Sequence, residues 1–151
     1  MSAEPSAWGA YVDAVLRITP PSGALWLRPA PLTVTSGDYP DPDGRTIFVI
    51  TAHNPGGRTV PDSDNDLAQA RLVAQLQERG LTWWPAAGGD EPWTHVEESA
   101  AVIGLTEAEA RALGAQFGQE AIFVLTPRER QVVACADSRV TATGWSSHRA
   151  R

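Results

Sequence analysis

The chain has 151 residues, 42% of them hydrophobic and 20% charged, with a formal net charge of −6. That length and balance describe one folded domain, able to bury a core without disulfides or a structural metal. All 12 cations are Arg, scattered along an acidic chain; this excludes the clustered basic surface that nucleic acid or an anionic membrane demands, and the absence of Lys excludes Schiff-base chemistry and a Walker-type phosphate lysine.

The first residues lack the basic start and apolar run of a secretory signal, and no apolar stretch reaches the length of a membrane span, so the cytoplasm is the expected location. Trp8, Tyr11, Val12, Val15 and Leu16 recur at helical spacing and predict an amphipathic helix over 6–18, ended by Thr19-Pro20-Pro21. A short strand is expected over 24–28. Residues 29–44 read as a surface loop, with Asp41-Pro42-Asp43-Gly44 as its turn. Residues 46–52 are the strongest strand, and the run Ile47-Phe48-Val49-Ile50, apolar on both faces, predicts a central position. Beyond a long polar connection, a helix is predicted over 65–79. Ser63 and Asp66 resemble a capping box before it, and Gly80 follows as a natural stop.

A strand over 81–85 carries Trp83 and Trp84, and Ala87-Gly88-Gly89-Asp90 reads as a turn. Another strand covers 94–103. A second helix over 107–117 is opened by a Thr106/Glu109 capping box and closed by Gly118. Strands over 120–126 and 131–136 form a hairpin joined at Pro127-Arg128-Glu129-Arg130. The one cysteine, Cys135, sits in an apolar run and reads as a small buried hydrophobe; it allows no internal disulfide and no Cys-based zinc site. Between residues 46 and 126 the order is strand, helix, strand, strand, helix, strand. That order predicts an α+β fold, a ferredoxin-like split βαβ sandwich with an added N-terminal helix and a C-terminal hairpin strand. Residues 46–140 would be the α/β core, 1–45 a helix and Pro/Gly-rich loop packed on it, and 141–151 a flexible tail of the same single domain.

Three places attract a chemical reading. The loop His53-Asn54-Pro55-Gly56-Gly57-Arg58 leaves the end of the central strand, where α/β folds bind ligands, and Arg58 is suited to clamp an anion. In His95-Val96-Glu97-Glu98-Ser99, strand alternation puts His95, Glu97 and Ser99 on one face and Val96 and Glu98 on the other, so one carboxylate must face the protein. Gln119 stands between Gly118 and a strand, within reach of a neighbouring strand end. Asp62-Ser63-Asp64-Asn65-Asp66 is not a calcium loop, because Leu67 and Val73 occupy the positions of its Gly and Glu. His95-x-Glu97 lacks the cysteines of a zinc deaminase, and neither Ser63 nor Ser99 lies in a nucleophile elbow. No metal and no cofactor are expected.

The string Phe48-Val49-Ile50-Thr51-Ala52-His53-Asn54-Pro55 takes on meaning alongside Asn65, Glu97-Glu98-Ser99, Val102 and Phe117-Gly118-Gln119-x-Ala121-Ile122-Phe123. Together they resemble a bacterial family catalogued as domain of unknown function 3293, over roughly residues 46–136. The resemblance implies that Asn54, Asn65, Glu98, Ser99 and Gln119 belong to a shared pattern; it supplies no reaction. Two functions follow as expectations. The first is a small-molecule site, catalytic in its fuller form, with Glu98 as acid or base, His53 and Gln119 beside it, and Asn54, Arg58, Asn65 and Ser99 holding the ligand. The second is a non-catalytic protein-interaction or regulatory module, a homodimer among its forms, suggested by six tryptophans and the lack of an established catalytic motif.

Overall fold

The computed structural model describes residues 7–150. Residues 1–5, expected to lack a secretory signal, and the first residue of the predicted helix lie outside the described residues. The elements are α1 (Ala7–Asp13), β1 (Val15–Ile18), β2 (Leu25–Ala30), β3 (Thr35–Ser36), β4 (Ile47–Thr51), α2 (Asp62–Glu78), β5 (Thr82–Gly89), β6 (Val96–Ile103), α3 (Glu107–Gln116), β7 (Ala121–Leu125), β8 (Arg130–Ala134) and β9 (Val140–His148).

The strands form a closed barrel, in the order β2-β1-β5-β6-β4-β7-β8-β9, shut by pairing of β9 back onto β2. All eight staves pair antiparallel, and the short β3 adds a parallel contact to β9 at Trp145 and Ser146. This overturns the predicted ferredoxin-like sandwich. The elements from β4 to β7 come in the predicted order, but the sheet does not end at its edges. β5 pairs onward to β1, and β7 onward to β8, until the two flanks meet. Closure removes the two exposed edges that an open sheet would present.

Two expectations failed together to conceal it. The predicted N-terminal helix stops at Asp13, and Val15-Leu16-Arg17-Ile18 is strand β1, whose Leu16 and Ile18 point inward. Residues 141–148, expected as part of a flexible tail, instead continue from Val140 as a nine-residue stave. Trp145 fills the interior there and donates from Nε1 to the Thr126 carbonyl at 3.0 Å. Gly144 is required at this crossing, since a Cβ would collide with the Val34 and Pro31 carbonyl oxygens.

Strand alternation divides the core into two layers. Ile47 and Val49, Ala101 and Ile103, Ala121, Phe123 and Leu125 face the barrel interior, where Trp8 of α1 joins them. Phe48 and Ile50, Ala100 and Val102, Ile122 and Val124 face outward and are covered by Leu72 and Leu76 of α2 and Ala110 and Leu113 of α3. The apolar run of β4 is therefore buried on both faces because one face lines the barrel and the other carries helices. The Thr106/Glu109 capping box of α3 is present, with Glu109 N donating to Thr106 Oγ1 at 3.1 Å and Thr106 N to Glu109 Oε1 at 2.9 Å. The Ser63/Asp66 box is not: α2 begins at Asp62 after Pro61, with no side-chain cap, and Asn65 lies within its first turn, its side chain engaged elsewhere. No helix among the described residues is long and apolar enough to cross a membrane.

Candidate functional site

The site lies at the mouth of the barrel where β4 ends and β6 begins. Asn54 opens the loop after β4 with φ 49° and ψ 58°, a left-handed conformation that asparagine tolerates better than other non-glycine residues. In this conformation Asn54 engages Asn65 through both backbone and side chain. Its N–H donates to Asn65 Oδ1 at 2.8 Å, and its Oδ1 accepts from Asn65 Nδ2 at 3.1 Å and from the Val60 N–H at 3.2 Å. Its Nδ2 donates to Glu97 Oε2 at 2.8 Å. One side chain thus ties the β4 loop to the first turn of α2 and to β6.

The same loop is fastened on its other side to the segment after α3. Gly56 N donates to the Gly118 carbonyl at 2.7 Å, and a Cβ on Gly118 would come within 2.7 Å of Pro55 Cβ. Gly118 also holds φ at 72°, so glycine is required there both for backbone conformation and for close approach. Gln119, 8% exposed, donates from Nε2 to the His53 carbonyl at 2.9 Å.

Sheet register decides which of the two adjacent carboxylates faces the interior. Ala86 pairs with Ser99 and Gly88 with Glu97, and Ala86 belongs to the interior cluster. Glu97 therefore projects into the mouth, opposite a glycine that leaves room for it. Glu98 points outward and is exposed, while its carbonyl accepts from Thr51 Oγ1 at 2.7 Å. Ser99 is buried on the interior face, its Oγ donating to the Glu97 carbonyl at 3.3 Å. The ring of His53 is partly buried, and its Nε2 is enclosed with no hydrogen-bond partner among the described residues.

These groups surround an open cleft of about 1030 Å³ that descends past Tyr11 to Val49, Ala121 and Phe123. His53, Asn54, Asn65, Glu97, Glu98, Ser99 and Gln119 all line it. Arg58, the expected anion clamp, is exposed and does not line it. Instead the rim is acidic, with Asp13, Asp62, Asp66, Asp90 and Glu91 and no arginine among the described lining residues. Asp90 is committed to its own hairpin, accepting from the N–H groups of Thr94 and His95 at 2.8 and 3.0 Å, which hold its carboxyl below the usual range. Glu91 pairs with Arg28 at 3.0 Å. Burial, with the charges of Glu97 and Glu120 nearby, pushes the Tyr11 phenol up to about 12.

Two contributors were not singled out from the sequence. Glu97 was legible only as one of two alternating carboxylates. Tyr11 was counted in a helical stripe.

Fold and site together define an eight-stranded antiparallel barrel with helices on one flank and a polar cleft in one mouth. Residues 50–122 match the family described as Protein of unknown function (DUF3293). The matched stretch contains Asn54, Asn65, Glu97, Ser99 and Gln119. No curated protein and no solved structure matches the chain.

Proposed function

We propose that the protein binds a small polar molecule in the cleft, with Glu97 as the carboxylate that meets it. The observation that carries this reading is the 2.8 Å bond from Asn54 Nδ2 to Glu97 Oε2. It fixes one carboxylate oxygen, while Oε1 has no hydrogen bond among the described residues. A half-buried carboxylate held on one side and open on the other is preorganised to accept a donor from a ligand. His53 and Gln119 stand on the β7 side of the same cleft, so a bound molecule would contact β4, β6 and the α3–β7 connection at once. If proton transfer follows binding, Glu97 is better placed for it than Glu98, because a base must lie within hydrogen-bond reach of the atom it serves.

The test is a thermal-shift screen of small amines, polyols and zwitterions against the wild type, Glu97→Gln and Glu98→Gln. A ligand that binds only the folded state raises its melting temperature. The shift should vanish in Glu97→Gln and persist in Glu98→Gln. A shift that survives Glu97→Gln, or a screen in which no compound moves the wild type, contradicts the proposal.

A second reading, a domain that docks on a protein partner or a copy of itself, has one specific observation in its favour. On the outer face of β1 and β2, away from the helix layer, the Arg17 guanidinium lies 5.5 Å from the Trp26 ring and 5.6 Å from the Trp93 ring. Aromatic and arginine side chains grouped in this way are enriched at interfaces. Light scattering on the wild type and Trp26→Ser tests it: a dimer lost on substitution supports docking there, and a monomer in both removes self-association.

A further inference from the structure

Arg130 is the most deeply buried cation among the described residues. It is 1% exposed and its side chain lies inside the barrel, with its guanidinium carbon 5.0 Å from the centre of the Phe123 ring. No carboxylate among the described residues pairs with it. Its Nη2 donates to the carbonyls of Tyr11 and Val12, in the last turn of α1, at 2.9 and 3.2 Å. Nε and Nη1 are buried without partners among the described residues. Burial draws its pKa down to about 10, and only the charge of Asp13 opposes that shift. A buried guanidinium with two nitrogens unsatisfied is costly, and well-packed apolar residues often replace such groups without loss of stability.

Part of the barrel wall around it carries small side chains. The interior faces of β5, β6, β7 and β8 present Ala86, Ala101, Ala121 and Ala134. An eight-stranded barrel of this kind is filled by side chains or holds one small ligand. Here α1 contributes much of the filling. Trp8 enters the interior cluster and donates from Nε1 to Thr141 Oγ1 at 2.9 Å, and Tyr11 meets the Phe123 ring edge-on at 5.8 Å. A helix of seven residues is not stable by itself and depends on this seating. The cleft already passes Tyr11 to reach Val49 and Phe123, so a route into the interior lies beside the helix.

We propose that α1 is a displaceable plug and that the barrel interior beneath it is a binding chamber for an apolar molecule carrying one anionic group, with Arg130 as the anion's anchor. When α1 lifts, Nη2 loses its two carbonyls and the whole guanidinium fork is presented at the floor of an apolar cavity. A carboxylate matches that fork with two parallel hydrogen bonds. The alanine-lined staves take the apolar body in place of Trp8 and Tyr11. This inference takes the cleft as a way in but does not require that a polar ligand binds there. Cleft ligands are scored with Glu97→Gln and chamber ligands with Arg130→Met, so either reading can fail alone.

The test is calorimetric titration of the full chain with decanoate, and with 1-decanol as the uncharged match. Decanoate should bind once per chain, and decanol about tenfold or more weaker, the difference of a charge-assisted pair. Arg130→Met should erase the preference for the acid. Trp8→Ala should tighten decanoate about tenfold, because lifting a weakened plug opposes binding less. Arg130→Lys keeps the charge without the fork and should fall between wild type and Arg130→Met, which guards against a folding defect in the latter. Amide exchange gives a second readout: decanoate should expose residues 7–13 while β4 and β7 stay protected. Failure of decanoate to bind both wild type and Trp8→Ala overturns the proposal. So does equal binding by Arg130→Met, or binding that leaves residues 7–13 as protected as before.

Discussion

Replacing Asn65 with alanine removes two hydrogen bonds from one loop. Asn65 is 7% exposed, and its amide both accepts from the Asn54 N–H and donates to the Asn54 side chain. Two ordinary hydrogen bonds contribute about 2 kcal/mol, less the roughly 0.5 kcal/mol by which alanine favours a helix over asparagine, leaving a loss of about 1.5 kcal/mol. In a domain of this size that corresponds to a fall of about 3–6 °C in melting temperature. The effect is local in origin, since Asn54 at φ 49° is held in place by the partner that disappears. Urea unfolding supplies the global number and amide exchange at Asn54 the local one. The expected result is a lowered midpoint at unchanged slope, together with faster exchange at Asn54. A change under about 0.5 kcal/mol, the usual range of an unremarkable surface substitution, with the Asn54 amide still protected, would refute the reasoning.

Three further outcomes follow from the same geometry. The Tyr11 phenol, raised to about 12 by burial, contributes stability that is fully present below its ordinary pKa of about 10 and is lost as pH rises toward 12; Tyr11→Phe should flatten that alkaline decline, read from unfolding midpoints and tyrosinate absorbance. Asp41, 2% exposed, is held below the usual carboxylate range chiefly by the side chain of Arg45, at 2.7 Å. Its contribution is present above the ordinary carboxylate pKa and is lost as pH falls through the folded value, so Asp41→Asn should remove part of the acid sensitivity of the unfolding midpoint. Thr106→Ala should cost about 1 kcal/mol by breaking the capping box of α3, with Thr106→Ser keeping most of it.

The parts of the fold legible in the sequence were those whose signal is local. The four-residue apolar run of β4, the capping box of α3 and the glycines at 80 and 118 each act within one or two turns of chain, and each is where the pattern placed it. Closure of the barrel was not legible, because its evidence is spread thinly over short or polar segments. β1 has four residues, and Val15 and Leu16 also complete a helical stripe with Trp8, Tyr11 and Val12. β9 turns mainly small and polar side chains inward around a single tryptophan, so it lacks the alternation that marks an amphipathic strand. β5 continues through Gly88 and Gly89, which read as a turn until their pairing with Glu97 and Val96 is seen. The site was legible in outline. Alternation required one of Glu97 and Glu98 to face inward, but the choice between them is set by register against β5, a contact that no local pattern specifies.

The most direct test of the central claim, that Asn54, Asn65, Glu97 and Gln119 act as one ligand site, is a two-dimensional NMR titration. The side-chain amide signals of Asn54, Asn65 and Gln119 would be followed while a cleft ligand is added to the wild type and to Glu97→Gln. The account predicts that all three signals move along one saturation curve in the wild type and stay still in the variant. Separate curves for the three amides, or shifts unaltered by Glu97→Gln, would contradict it.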